Sequence, residues 1–179
     1  HLYRRRQRQM CIRDRFQPGA NGPQIENQLN EEGFTLGHFP QSWEYSTLGG
    51  WIASRPSGQQ SLKYGRIENL FAGGKIVTPK GTLVIPTCPA SSAGPDLRQF
   101  LLGSEGRMGI ITEASVRISP LPKSEYFGAV FFPCWNSGMC AVRKIVQENI
   151  DLSMMRLSNS LETTSPVSYT HLRAHETLL

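Results

Sequence analysis

Three stretches of this chain combine glycine, hydroxyl and aromatic residues at spacings able to hold a flat, anionic ligand. The first is Gln41, Ser42, Trp43, Glu44, Tyr45, Ser46 and Thr47, followed by Leu48, Gly49, Gly50 and Trp51. A diphosphate needs several backbone N–H groups converging on it, and glycine lets the backbone approach with no Cβ in the way. Serine and threonine hydroxyls add further donors. The plain alternative is a tight Gly-Gly turn with incidental hydroxyls, and spacing alone favours that alternative.

The second stretch, Ala53, Ser54, Arg55, Pro56, Ser57 and Gly58, lies directly downstream and by itself reads as an exposed turn. The third runs Gly103, Ser104, Glu105, Gly106, Arg107, Met108, Gly109, Ile110, Ile111. Its spacing is G-x-x-G-x-x-G, leading from a helix end into a strand. The dinucleotide fingerprint needs the opposite order, strand then helix, so that phosphates meet a helix N-terminus. The order therefore argues against a Rossmann site. What remains is a glycine-lined turn facing a planar cofactor, or a helix cap followed by a bulge.

Other chemistry-bearing residues are fewer. His38 reads as a loop residue and Tyr45 as an aromatic wall. Arg156, at a strand end, reads as a surface charge. His171 and His175 stand at i, i+4, a helical zinc spacing, but no third ligand accompanies them and no metal site is expected. Between the ends of the chain lie Cys88, Cys134 and Cys140, an odd number without C-x-x-C, which argues against a disulfide framework.

The formal charge of +5 suggests a nucleic-acid partner until the charges are located. Residues 1–15 hold six Arg against one Asp, which accounts for the whole excess. Residues 1–15 and 167–179 have the wording of translated adapter sequence and are read as non-native tails. No nucleic-acid partner is expected, and no apolar run is long enough to span a bilayer.

The elements that must position the three stretches follow from pattern. Ile25 and Leu29, with a glycine stop at Gly33, predict an amphipathic helix over residues 23–32. Residues 74–77 and 82–85 flank a Thr-Pro-Lys-Gly turn and predict a hairpin. Gly94-Pro95-Asp96 predicts the start of a helix with Leu97, Phe100 and Leu101 on one face. Residues 110–118 predict a half-buried strand, closed by Pro120 and Pro122. Beyond lies a predicted β-α-β start: strands at 128–132 and 154–157 around a helix at 136–149, with Cys140, Ile145 and Val146 inward. The fold class is α+β. One domain covers residues 16–122, and residues 123–166 open a second, a cap.

Taken together, the three stretches resemble the vanillyl-alcohol-oxidase/PCMH family of flavoproteins, in which an FAD domain precedes a substrate-binding cap. The match runs in order along nearly all of residues 16–161. The wording GH-x-P-x-S-x-E-[FY]-ST-x-GGW, [ST]-R-x-SG, TPKG, GPD and GSEG-x-x-G-[IV]-IT-EA is most similar to its alkylglycerone-phosphate synthase branch. Trp51, Arg55, Ser57 and Gly58 depart from the glycolate and D-lactate dehydrogenase version. Gln41 stands where the synthase branch commonly has Asp.

The resemblance implies FAD as cofactor, contacted by residues 41–47, by Ser54, Arg55, Pro56 and Ser57, and by Glu105, Gly106, Arg107, Met108, Gly109, Ile110 and Ile111. It implies an active-site role for Arg156. The family's first phosphate-binding loop would lie before Phe16, and its acid–base tyrosine and histidines beyond the last residues here. It further implies exchange of an acyl chain for a fatty alcohol on a lipid substrate, a homodimeric parent enzyme, and a cytoplasmic or, in a eukaryote, peroxisomal location. The rivals are an FAD-dependent 2-hydroxyacid dehydrogenase or oxidase and a non-catalytic α+β binding module.

Overall fold

The computed structural model describes residues 13–87 and 93–164. Most of both tails, Cys11, Cys88 and the His171/His175 pair lie outside the described residues. The chain forms two compact units, one ending at Leu121 and one beginning at Pro122.

The first unit contains β1 (Arg13–Phe16), α1 (Gly22–Glu31), β2 (Phe34–Thr35), α2 (Leu48–Ser54), α3 (Ser61–Tyr64) and α4 (Ile67–Leu70). It continues with β3 (Phe71–Thr78), β4 (Gly81–Ile85), α5 (Arg98–Leu101), β5 (Ile110–Arg117) and β6 (Ser119–Pro120). Four strands form one antiparallel sheet in the order β1-β5-β3-β4. The β2 and β6 strands make a separate ribbon, Phe34 opposite Pro120.

Local chemistry explains α1. Asn21 accepts from the Gln24 N–H at 3.0 Å and the Gln24 side chain accepts from the Asn21 N–H at 3.0 Å, a reciprocal cap. Pro23 sits in the first turn, where its missing N–H costs nothing. Gly33 follows the helix at φ 80°, a left-handed conformation that glycine adopts without strain. Ile25 and Leu29 are buried and join the core with Trp51, Ile52, Phe71, Ile76 and Val116.

The sheet is closely built. At Gly74 a Cβ would collide with the Glu113 carbonyl of the neighbouring strand, so only glycine lets β3 and β5 pair at that point. The β3–β5 register shifts between Phe71 and Gly73 and between Lys75 and Ile76. Such irregularities twist a strand and terminate pairing locally.

Four expectations need correction. Residues 13–15, read as part of a tail, are paired in the sheet: Arg13 lies opposite Arg117 and Arg15 opposite Ser115. Pairing at a sheet edge is made by backbone groups and tolerates charged side chains pointing to solvent. The helix expected after Gly94 is a single turn, with Leu101 buried and Phe100 exposed. Asp96 side-chain bonds to Arg98 tie up its start and Gly103 at φ 76° ends it, leaving no room for a second turn.

The other two corrections fall in the second unit, which holds α6 (Trp135–Gln147) and α7 (Ser160–Thr164). Residues 128–132 and 154–157 are not strands, because among the described residues neither has a paired neighbour to complete a ladder. Cys140 and Val146 on α6 are exposed. The buried residue of α6 is Gly138, where a Cβ would meet Leu157 Cδ1 at 2.9 Å and Phe132 Cδ2 at 3.3 Å.

Candidate functional site

The helix α2 organises the three stretches. Thr47 caps its N-terminus, accepting from the Gly50 N–H at 3.3 Å. Leu48, Trp51 and Ile52 bury its inner face. Residues 41–47 lead into this helix, and Ser54 to Ser57 leave it. The third stretch docks on its C-terminal end: the Gly103 N–H donates to the Ile52 carbonyl at 3.0 Å and the Glu105 N–H to the Ala53 carbonyl at 2.9 Å. These carbonyls belong to the set that a helix end leaves without an intrahelical partner. The second and third stretches are thus bonded to each other, and the first is attached at the opposite end of a seven-residue helix.

Within the first stretch the bonding is specific. The Trp51 indole N–H donates to Ser46 Oγ at 2.6 Å, and Ser46 Oγ donates to the Ser42 carbonyl at 2.7 Å. The N–H groups of Tyr45 and Ser46 both reach the Ser42 carbonyl. Trp43 stacks edge-on against Phe39 at 5.4 Å.

The Gly-Gly pair plays a packing role. Leu48 N–H donates to the Ala20 carbonyl at 2.9 Å and Gly49 N–H to the Pro18 carbonyl at 2.8 Å. A Cβ on Gly49 would lie 2.7 Å from Pro18 Cβ. The amides of residues 48–50 are therefore spent on the fold and on the cap, not held open for a diphosphate. Gly49 and Gly50 form no tight turn of their own, because both lie in the first turn of α2.

Arg55 is left-handed at φ 58° and Glu105 at φ 50°, conformations uncommon for residues with a Cβ. The Arg55 guanidinium is committed inside the protein: it donates to Gln99 Oε1 at 2.7 Å and lies 3.7 Å from Glu68 Oε2. Arg55 thereby joins the loop after α2 to α4 and α5. Such residues mark sites where surrounding structure holds a strained backbone for a purpose.

Around this frame Gln41, Ser42, Glu44, Tyr45, Ser54, Ser57, Glu105, Gly106, Arg107, Met108 and Ile110 are exposed. Trp43, Ser46, Thr47, Arg55, Pro56, Gly109 and Ile111 are half-buried. Tyr45, on a loop, is 88% exposed and Ile110, at the start of β5, is 72% exposed, a high degree for large aromatic or apolar side chains. Space is open where a Cβ on Gly106 would project. Gly109, at φ 135°, carries its backbone so close to the Val77 carbonyl that a Cβ would clash.

His38 is more than a loop residue. It is 1% exposed, with its ring edge-on to Trp51 at 5.0 Å. Among the described residues neither ring nitrogen has a hydrogen-bond partner. Burial pushes its pKa down to about 4, against a smaller opposing pull from the Glu68 carboxylate. His38 is therefore a neutral imidazole behind the site.

Sequence reasoning missed Glu26. It is 7% exposed on α1, and burial raises its pKa above the ordinary carboxylate range, opposed by bonds from Thr35, Gly37 and Leu36. The signal was present: Gly22, Ile25, Glu26 and Leu29 form one buried stripe at helical spacing, and Glu26 is its single charged member. Arg156 lies in the second unit, exposed and ion-paired with Glu162.

Such a sheet-and-helix unit, with ordered loops gathered around α2, defines a class, and comparison with known proteins identifies it. Residues 13–85 match the FAD binding domain model. The first unit has the fold of a PCMH-type FAD-binding domain. It is 41% identical over 148 residues to alkyldihydroxyacetonephosphate synthase of Caenorhabditis elegans, covering 82% of this chain and 25% of that protein. Against the enzyme of the same name from Dictyostelium discoideum it is 41% identical over 160 residues, 89% of this chain and 25% of the relative.

A solved alkyldihydroxyacetonephosphate synthase structure superposes with a TM-score of 0.74 at 40% identity, covering 83% of this chain and 26% of that one. The mitochondrial D-lactate dehydrogenase of Saccharomyces cerevisiae is more distant, 32% identical over 158 residues, 83% of this chain and 27% of that protein. The chain spans about a quarter of the length of the curated synthases it matches. The domain's cofactor is FAD, and the exposed aromatic and apolar side chains, the strained loop backbones and the open face over Gly106 fit a planar group with a polar tail. No described helix is long and apolar enough to cross a membrane.

Proposed function

We propose that these residues form part of an FAD-dependent enzyme of the alkyldihydroxyacetonephosphate synthase type, exchanging an acyl chain for a fatty alcohol in ether-lipid synthesis. The observation that carries it is the graded similarity: 41% identity to the named synthases against 32% to the named D-lactate dehydrogenase, over similar shares of the chain. Two residues that distinguish the synthase wording have fixed partners here: Trp51 holds Ser46 of the first stretch, and Arg55 ties the second to Gln99 and Glu68. When bound, the flavin supplies reactivity that no side chain here offers.

The chain's own residues have supporting roles. Residues 41–47, Ser54 to Ser57 and Glu105 to Ile111 hold the cofactor, largely through backbone, and Tyr45, Met108 and Ile110 shield its flat face from water. Arg156 receives the substrate's anionic group in place of Glu162, and a guanidinium offers the fixed two-pronged donor that a phosphate matches. The parent enzyme acts as a homodimer in the cytoplasm, or in the peroxisome of a eukaryote.

The test is an assay of the complete parent protein. Incubation with acyl-dihydroxyacetone phosphate and labelled fatty alcohol is expected to give labelled ether product and free fatty acid with no external electron acceptor. Bleaching of the flavin by D-lactate or glycolate, with no exchange, would move the protein to the dehydrogenase branch.

A further inference from the structure

We propose that Glu26 is a positioning residue for the cofactor site, fixing through its carboxylate the start of the segment that carries residues 38–47. The inference rests on the reading of residues 41–47 as part of the FAD cradle. Thr35 Oγ1 donates to Glu26 Oε2 at 2.7 Å, while the N–H groups of Leu36 and Gly37 donate to Oε1 at 3.2 Å and 3.1 Å. Three consecutive residues therefore bond one carboxylate on α1. Thr35 Oγ1 also accepts from the Gly37 N–H at 3.0 Å, which tightens the bend.

The bend itself has little freedom. Gly37 is left-handed at φ 69°, and a Cβ there would run into the Tyr64 ring. The next residue is His38, locked by burial against Trp51. The far end of the same segment returns to the start of α1. The Gly22 N–H donates to the Trp43 carbonyl at 3.2 Å, and Asn21 forms an isolated bridge with Thr47. One ten-residue helix thus grips the segment at both ends, at Asn21 and Gly22 on one side and at Glu26 on the other.

A leucine at position 26 would suit the apolar stripe and avoid the cost of burying a charge. It would orphan the buried Leu36 N–H and leave that of Gly37 with Thr35 Oγ1 as its acceptor, and a buried orphan donor is costly. What this geometry needs first is one acceptor oxygen for both backbone N–H groups, and the second carboxylate oxygen serves the Thr35 hydroxyl.

The experiment uses the complete parent protein, titrated with FAD and followed by flavin fluorescence and visible absorbance. Glu26→Ala is expected to weaken FAD binding at least tenfold and to alter the bound flavin's spectrum. Glu26→Gln, whose amide oxygen still accepts both backbone N–H groups, is expected to stay within threefold with the normal spectrum. Leu29→Ala, a core deletion one turn along the same helix, should lower the thermal midpoint yet leave affinity within threefold.

Wild-type affinity and spectrum in Glu26→Ala would overturn the proposal. So would loss of flavin in Leu29→Ala to the same degree, or failure of Glu26→Gln to rescue. If Glu26→Ala does not fold, Thr35→Val removes one of the three bonds and should weaken FAD binding about threefold. No change there also counts against the proposal. Absence of flavin from the wild-type parent would instead defeat the FAD reading on which it rests.

Discussion

The backbone N–H of Glu105 donates to the carbonyl of Ala53 at 2.9 Å, joining a loop to the last turn of α2, far back in the sequence. With the parallel bond from Gly103 to Ile52, it fastens the third glycine stretch to the end of α2. The bond works only if the chain can turn back sharply before β5, and Gly109 supplies that turn at φ 135°. Gly109→Ala places a Cβ against the Val77 carbonyl and should cost about 1–3 kcal/mol of stability. Chemical denaturation of wild type and variant measures it, and equal midpoints would show the loop has slack.

His38 gives the protein an acid sensitivity with a defined window. Its folded pKa of about 4 lies below the unfolded value of 6.5, so its contribution is fully present above pH 6.5 and is lost as pH falls through about 4. The full loss amounts to about 3 kcal/mol at most. Unfolding free energy measured between pH 7 and pH 4 should fall along this course. His38→Phe should flatten that part of the profile, and an unchanged slope would assign it to other groups.

Gly22 is the contact through which α1 meets the first loop. A Cβ there would enter both the carbonyl and the ring of Trp43. Gly22→Val should displace Trp43, raising its fluorescence sensitivity to quencher and destabilising the fold by about 1–3 kcal/mol, as overpacking does. Unaltered quenching would mean that the loop adapts without cost.

Arg156 separates the roles of the two units. In the complete enzyme Arg156→Lys should keep FAD bound but lower kcat/KM more than tenfold, above ~1.4 kcal/mol, since lysine cannot form the paired bonds of a guanidinium. Loss of flavin would place Arg156 with the cofactor, and unchanged kinetics would make its pairing with Glu162 a surface contact.

Much of the first unit was legible because local rules and tertiary packing agree there. Ile25, Leu29 and the stop at Gly33 define α1, and the Thr-Pro-Lys-Gly turn sits between β3 and β4. What sequence could not show is long-range bonding. The partnership of Ala53 with Glu105 leaves no periodic trace, and Glu26 looks like one more surface acid until its place in the buried stripe is noticed. Gly49 and Gly50 suggested open phosphate-binding amides, yet neighbouring carbonyls at Pro18 and Ala20 had already claimed the donors nearby. The expected strands of the second unit failed for a related reason: alternation in residues 128–132 cannot make a strand without a partner to pair with.

We propose that the three stretches gathered by α2 form the FAD site, and amide hydrogen exchange on the complete parent protein, with and without FAD, distinguishes them from the rest of the chain. Added FAD should slow exchange in residues 41–47, 54–57 and 105–111 together, with little change along the exposed β4 edge. Protection confined to other parts of the protein, with these three loops unaffected, would contradict it.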